Sequence, residues 1–405
     1  MDNKNTYDVI VVGAGAIGCS IAYHLAQAGL KTALLERAQV GAGATGACFG
    51  EVQSNDVELK HSIPMVKASY ARFDHLEEEL GMSVNFRHKE TMRLIFSEKD
   101  WKESEERCKV LTRAGIHYEF IPPEEVRKIE PMVGPREMFG ATHCNYQGQL
   151  NPHLLLWAYL RRAIPMGLAL HTYTEVTGFM IENGRMRGVR TSRGDFSAGT
   201  VILSTAAWTR QLGQLIGRDW KIQNFRASAM VTEPIYDLKF NTIFNAADHI
   251  EMEVTGPDDA ELTVLAICQT PDCHFLLAQA DRPGESTRSS ISHVAPKTIA
   301  MIAARYFPVL RSVRILRSWT APTTFTDDGC PLIGPVPGVE GLILAASYRS
   351  GVVHAPLAGE IMTQLVTLGR CDLIDLRPFA PEREMEKSET IYQVKRTYMA
   401  TQERD

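Results

Sequence analysis

Gly13, Gly15 and Gly18, together with an acid at Glu36, are the residues of this chain best suited to hold a charged ligand. In the pattern Gly-x-Gly-x-x-Gly the first glycine makes a tight turn and the second lets a diphosphate reach the backbone. The third lets a helix pack close to a strand. The diphosphate then faces the helix N-terminus, where unpaired N–H groups and the helix dipole favour negative charge. Glu36 follows Gly13 by 23 residues. A carboxylate there accepts hydrogen bonds from ribose hydroxyls and repels a 2′-phosphate. Glycine triplets also mark ordinary turns, so the weight of this one depends on the elements around it.

Those elements are present in the required order. Asp8-Val9-Ile10-Val11-Val12 is a β-branched run typical of a strand buried on both faces. Ile17, Ile21 and Leu25 recur at helical spacing until Gly29 ends the pattern. Lys31–Leu35 reads as a second buried strand that closes on Glu36. Strand, glycines, helix, strand and acid make a complete β-α-β unit and predict dinucleotide binding. Gly13, Ala14, Gly15, Ala16, Ile17 and Gly18 are therefore expected around the diphosphate. Beyond Glu36 and Arg37 comes the small-residue loop Gly41-Ala42-Gly43-Ala44-Thr45-Gly46-Ala47-Cys48-Phe49-Gly50-Glu51. A second stretch of approachable backbone suits an extended FAD better than NAD.

Further along, helical patterns cover 66–81 and 100–114, divided by the strand-like Thr91–Phe96. A polar turn at Asn145–Pro152 precedes a helical pattern through about Met166. Short strands then alternate with turns at Leu168–Tyr173, Thr177–Ile181, Asn183-Gly184, Gly188–Thr191 and Val201–Ser204. Residues 215–320 read as a separate antiparallel sheet with one helix near 296–306. Ile343–Ala346 and the helical Ala355–Leu368 return to the character of the opening segment. The expected organisation is an α/β chain with two discontinuous domains: 1–85, 140–215 and 320–380 bind the nucleotide, and 86–139 and 216–319 form a second domain. Residues 381–405 are left as a C-terminal tail.

The chain has 405 residues, too many for one compact core. A formal net charge of −5 argues against nucleic acid as its main partner. The 8 cysteines contain no C-x-x-C pair, which suits reduced thiols in a cytoplasmic protein. No metal is expected. The polar Met1–Asn5 leads into an apolar run too short for a signal peptide, and no stretch is long enough to span a bilayer.

Over nearly its whole length the sequence resembles the D-amino-acid oxidase-like family of flavoproteins, which includes glycine oxidase, sarcosine oxidase and the flavin subunits of opine and proline dehydrogenases. The resemblance is anchored by Gly13–Gly18 with Glu36, the Gly41–Glu51 loop, Gly148–Pro152, Gly188–Thr191 and Val201–Trp208. It continues through Ser318-Trp319, Thr326–Pro335 and Tyr348–Gly359. It implies a glutathione-reductase-type FAD-binding Rossmann domain and a second, α+β substrate domain built on an antiparallel sheet. FAD, held non-covalently, is expected against Ala16, Ile17, Glu36, Arg37, Ala44, Thr45, Phe49, Gly50 and Glu51. Val176 is expected at the adenine end through its backbone. Ser347, Arg349, Ser350, Gly351, Val352 and Val353 are expected near the flavin ring.

Arg349 stands where glycine oxidase has the arginine that grips the substrate carboxylate. A guanidinium can hold a carboxylate with two parallel hydrogen bonds and so fix the Cα–H over flavin N5. Tyr348, His354 and Glu51 are further candidates for facing the substrate. Hydride transfer from a neutral amine needs no protein base, and the flavin carries the difficult chemistry. The resemblance therefore implies oxidation of a carbon–nitrogen bond in an amino acid or N-substituted amino acid, the imine product then hydrolysing.

Some residues depart from the family pattern. Thr323 replaces a second carboxylate-binding arginine, Leu265–Gln269 lacks a customary tyrosine, and Ala206 stands where a glycine is usual. No cysteine lies in Trp319–Asp328 to link the flavin covalently, and no lysine lies between Lys239 and Lys297 to activate oxygen. The last absence leans toward electron transfer to a partner subunit or quinone. Two alternatives remain. One is 2-hydroxy acid oxidation, which would require a base such as His354; the other is a flavin subunit with little activity outside a larger complex.

Overall fold

A computed structural model of the protein describes residues 5–54, 57–252, 261–283, 287 and 294–386. The expected tail therefore lies mostly outside the described residues. Two compact units divide the chain. Among the described residues the first comprises the segments up to Phe86, Leu150–Asn224 and everything from Thr323 on. The second comprises Arg87–Gln149 and Phe225–Pro322.

The main sheet of the first unit has six strands. They are β1 (Val9–Val12), β2 (Thr32–Leu35), β3 (Ala169–His171), β4 (Thr200–Leu203), β5 (Leu332–Pro335) and β6 (Leu342–Ala346). Their spatial order is β5-β6-β4-β1-β2-β3, parallel except for the β5–β6 pair. β1 and β2 are buried at every position, as unbroken apolar runs require in a parallel sheet. From β1 the chain crosses to β2 on one side, while β4 lies on the other. The glycine turn that leaves β1 is thus at a switch point of the sheet, where ligands of such folds bind. The Asn183-Gly184 turn joins Val176–Glu182 to Arg185–Thr191, and both turn residues have positive φ.

Helix α1 (Ala16–Gln27) follows the glycines and is buried on most of its surface. Where one continuous helix was expected over 66–81, two form: α2 (Ile63–Tyr70) and α3 (Phe73–Leu80). The break lets α2 bury Ile63, Met65, Val66 and Tyr70 while α3 independently buries Phe73, Leu76 and Leu80. Arg72, at the break, donates to both carboxylate oxygens of Glu360. Asn151 caps α4 (Pro152–Ala163) by accepting from the N–H groups of His153 and Leu154. The last helix, α5 (Gly351–Leu368), starts a turn earlier than the pattern suggested, with Pro356 inside it. No helix among the described residues is long and apolar enough to cross a membrane.

After β4 the chain makes a tight turn through Ala206–Trp208, and Ala206 sits at φ +42°. A side chain in the left-handed region costs about 1–2 kcal/mol, a cost glycine does not carry. Ala206→Gly should therefore raise stability by about 1 kcal/mol, seen as a higher midpoint in denaturant with unchanged slope. A lowered midpoint would show that the methyl is needed for packing.

The second unit is built on an eight-stranded sheet. Its order is Ile315–Thr326, Ile222–Thr232, Phe275–Pro283, Glu261–Gln269, Thr242–Met252, Glu90–Ile95, Gly140–Cys144 and Glu119–Ile121. The sheet is not purely antiparallel, because Thr242–Met252 and Glu90–Ile95 run parallel. Helix Ala295–Tyr306 and the rings of Phe240, Phe244, Phe275 and Phe307 fill its core. Residues 140–149 belong to this unit and not to the first, since Gly140–Cys144 pairs along its length with Glu90–Ile95. Residues 216–224 belong to the first, where Trp220 and Ile222 enter the core around β1. All eight cysteines are free thiols.

Candidate functional site

The site is built by the loops that leave β1, β2, β4 and β6 at one end of the sheet. Gly13, at φ +101°, donates its N–H to the Leu35 carbonyl (2.8 Å). A Cβ at Gly13 would lie 2.6 Å from the Ser204 carbonyl oxygen, and one at Gly18 would lie 1.8 Å from the Gly13 carbonyl oxygen. Ser204 Oγ ties this corner together by donating to the carbonyls of Val12 (2.8 Å) and Gly13 (3.1 Å). Only glycine lets α1 start this close to the strand. The residue before the helix, Gly15, offers no side chain to cap it.

Glu36 occupies the space between the glycine turn and the end of β2. Its Oε2 accepts from the Ala14 N–H (2.9 Å) and its Oε1 from the Ala38 N–H (2.8 Å). Its carbonyl accepts from the Thr174 N–H (2.8 Å), while Tyr173 donates its own N–H to Ala38 (3.1 Å). This brings the strand opening at Val176 beside Glu36. Arg37 lies 4.9 Å from the ring of Trp208 and 3.9 Å from the Glu175 carboxylate. Trp208 also faces Gly43, where a Cβ would stand 3.6 Å from the indole. In the sequence Trp208 stands out only as the end of the Val201–Trp208 stretch that anchors the family resemblance. Its place beside Arg37 follows from the turn after β4, which no local pattern reveals.

The small-residue loop folds back over the turn. Gly41 donates to the Ala14 carbonyl (3.0 Å), and Thr45 Oγ accepts from the Ala16 N–H (3.1 Å). Ala44–Ala47 form one short helical turn, and Phe49 is partly buried. Gly50, at φ +71°, lies so close to Leu150 that a Cβ would come within 2.0 Å of its carbonyl oxygen. Glu51 is partly buried on the strand that follows.

From the other side comes the turn between β6 and α5. Ser347 sits at φ +58°, and Tyr348, Arg349 and Ser350 lead into Gly351 with no side chain capping the helix. A Cβ at Gly351 would stand 3.8 Å from Ile17, so the N-terminal ends of α5 and α1 are neighbours. Val352 and Val353 are buried in that first turn, and Ser69 Oγ donates to the Val353 carbonyl (2.6 Å). Arg349 is partly buried with its guanidinium 5.7 Å from the centroid of Phe325. Tyr348 and His354 pack ring to ring at 5.7 Å, and His354 is only 6% exposed. Burial raises the pKa of the Tyr348 phenol well above its ordinary value. Phe325 was not among the expected site residues, and Thr323 precedes it by two positions.

This arrangement fits FAD. Two helix N-termini, neither capped by the residue that precedes it, meet beside a glycine turn that a Cβ would fill, which suits a diphosphate and an electron-rich ring. Glu36 keeps lone pairs for ribose hydroxyls after accepting two backbone N–H groups. Glu36→Gln leaves one acceptor oxygen where there were two and puts an NH₂ donor in place of the other, so a ribose hydroxyl that would donate to the carboxylate loses its acceptor. The loss is about 1–2 kcal/mol, or roughly tenfold weaker FAD retention. Titrating apoprotein with FAD by fluorescence checks this, and unchanged affinity would remove Glu36 from the site.

Comparison with known proteins agrees with this geometry. The profile of the DAO family, described as FAD dependent oxidoreductase, matches residues 8–365. The chain is 28% identical over 386 residues to sarcosine oxidase subunit beta of Rhodobacter capsulatus, covering 90% of this chain and 86% of that one. It is 25% identical over 388 residues to glycine oxidase of Geobacillus kaustophilus, covering 94% and 98%. The crystal structure of that glycine oxidase superposes with a TM-score of 0.84 at 24% identity, covering 95% of this chain and 100% of that chain. The L-proline dehydrogenase of P. horikoshii superposes at 0.83 and 23% identity, covering 94% and 100%. A β-α-β cradle shaped for FAD and a family match over most of the chain lead to one conclusion: the protein is a member of the DAO family of FAD-dependent oxidoreductases.

Proposed function

We propose that this chain oxidises the carbon–nitrogen bond of an amino acid or an N-substituted amino acid, with Arg349 holding the substrate carboxylate. The observation that carries the reading is a guanidinium on the turn into α5, backed by the Phe325 ring at 5.7 Å, where two helix N-termini meet. When bound, FAD supplies the two-electron acceptor for the hydride that leaves the substrate carbon. The planar fork of Arg349 pairs with both carboxylate oxygens and fixes the angle at which that carbon is presented. The aromatic face behind it keeps the fork from swinging. The substrate nitrogen provides the electron pair for the new C=N bond, so no protein base is assigned, and water then hydrolyses the imine. Tyr348, His354 and Glu51 are proposed to shape the surroundings of Arg349.

Relatives named for sarcosine and glycine support the amino-acid class. One of them being a subunit supports a heteromeric complex, and electron transfer to a partner or quinone is proposed on the lack of a lysine between Lys239 and Lys297. The test is anaerobic mixing of purified holoprotein with glycine, N-methyl amino acids, opines, proline and 2-hydroxy acids while following flavin absorbance. Bleaching by one or more of the amines supports the reading. Bleaching by hydroxy acids alone would overturn it.

A further inference from the structure

In the second unit, the strand Ile315–Thr326 forms one edge of the eight-stranded sheet, and its first residues are bare. Leu316 is 60% exposed and Ile315 40%. Exposed edges normally carry charge in place of apolar side chains, because an open row of N–H and C=O groups invites another strand to pair. Here charge and apolar surface occur together: Arg311, Arg314 and Arg317 are all exposed around the two aliphatic residues. Among the described residues none of these three guanidiniums is paired with an acid.

The neighbouring strand supports the edge from within. Ser228 and Thr320 hydroxyls bond at 2.9 Å, Glu233 donates its N–H to the Arg314 carbonyl at 2.9 Å, and the Glu233 carboxylate accepts from the Arg314 N–H at 3.2 Å. Val313 points into the core while Ile315 and Leu316 do not. Arginine is among the residue types enriched at protein-binding hot spots.

We propose that Ile315–Trp319 is a docking edge for an extended segment of another protein in which acidic and apolar residues alternate. The segment would add to the sheet through backbone hydrogen bonds, as in β-augmentation. Its apolar residues would cover Ile315 and Leu316, and its acids would meet Arg311, Arg314 and Arg317. Charge complementarity selects this occupant over a second copy of the chain, since two such edges laid together would oppose like charges.

The test uses the intact flavoprotein and short fluorescein-labelled peptides that alternate valine with glutamate or with lysine, read by fluorescence anisotropy. The glutamate peptide should bind more weakly as salt rises, and the lysine peptide should not bind. The triple variant Arg311→Glu, Arg314→Glu, Arg317→Glu should lose about tenfold or more in affinity, with flavin content and circular dichroism unchanged. N-methylation of alternate peptide amides should also abolish binding, separating strand addition from plain charge attraction. Equal binding of both peptides, or full binding by the N-methylated one, would overturn the proposal. A dimer in sedimentation velocity that Leu316→Glu dissociates, in a protein that ignores the peptides, would show that a second copy covers the edge instead.

Discussion

Gly18→Ala should yield a protein that retains little flavin and melts well below the parent. The added methyl would lie 1.8 Å from the Gly13 carbonyl oxygen and 2.6 Å from Ser204 Oγ. Both atoms belong to the corner that holds β1 and β4 to the start of α1, so neither can move without opening the turn. Overpacking of this kind costs about 3 kcal/mol. Here the displaced backbone is the same backbone that would face the diphosphate, so stability and cofactor retention fall together. Gly29→Ala is the control. Gly29 has positive φ, +80°, but a Cβ there meets nothing within 4 Å. It should lose only about 1 kcal/mol of stability and keep its flavin. The ratio of flavin to protein absorbance, with thermal melts of all three proteins, decides the matter. A fully yellow Gly18→Ala protein with a parental melting temperature would refute the tight-turn account of the cradle.

Arg349→Met should raise KM for the best amino-acid substrate by about 100- to 1,000-fold while flavin content stays intact. Two charge-assisted hydrogen bonds to a carboxylate are together worth about 3–4 kcal/mol, which sets that range. Methionine keeps much of the side-chain bulk against Phe325, so the turn into α5 should persist. Arg349→Lys restores the charge but not the planar fork, and should recover only part of the loss. The measurement is steady-state KM and kcat beside the absorbance spectrum of each variant. A KM within about threefold of the parent would remove Arg349 from substrate binding. The flavin-bleaching panel remains a separate test, because the chain can oxidise amino acids without using this particular arginine.

Much of the cradle was legible because its information is local. Gly13-x-Gly15-x-x-Gly18 lies between two apolar runs, and Gly18 meets a steric demand set by Gly13 five residues before it, whereas Gly13 and Gly15 are pressed by the distant Ser204 and Thr45. The Asn183-Gly184 turn was legible for the same reason. Helix ends and unit boundaries were less so. The pattern over 66–81 reads as one helix, since apolar spacing does not register a change of direction at Ala71-Arg72. Residues 140–149 look like part of the nucleotide domain until Gly140–Cys144 is seen to pair with Glu90–Ile95.

The amino-acid sequence by itself determined the β-α-β cradle, the placing of Glu36 at the end of β2 and the resemblance to a flavoprotein family. These depend on side-chain period and on glycine's freedom over short separations. Only the tertiary structure decided that Glu36 bridges the Ala14 and Ala38 N–H groups, that Arg37 lies against Trp208, that Arg349 lies against Phe325, and that Ala206 carries a left-handed turn. Each of these is settled where two distant segments meet or where backbone dihedrals close a turn, and no periodicity along the chain encodes such meetings.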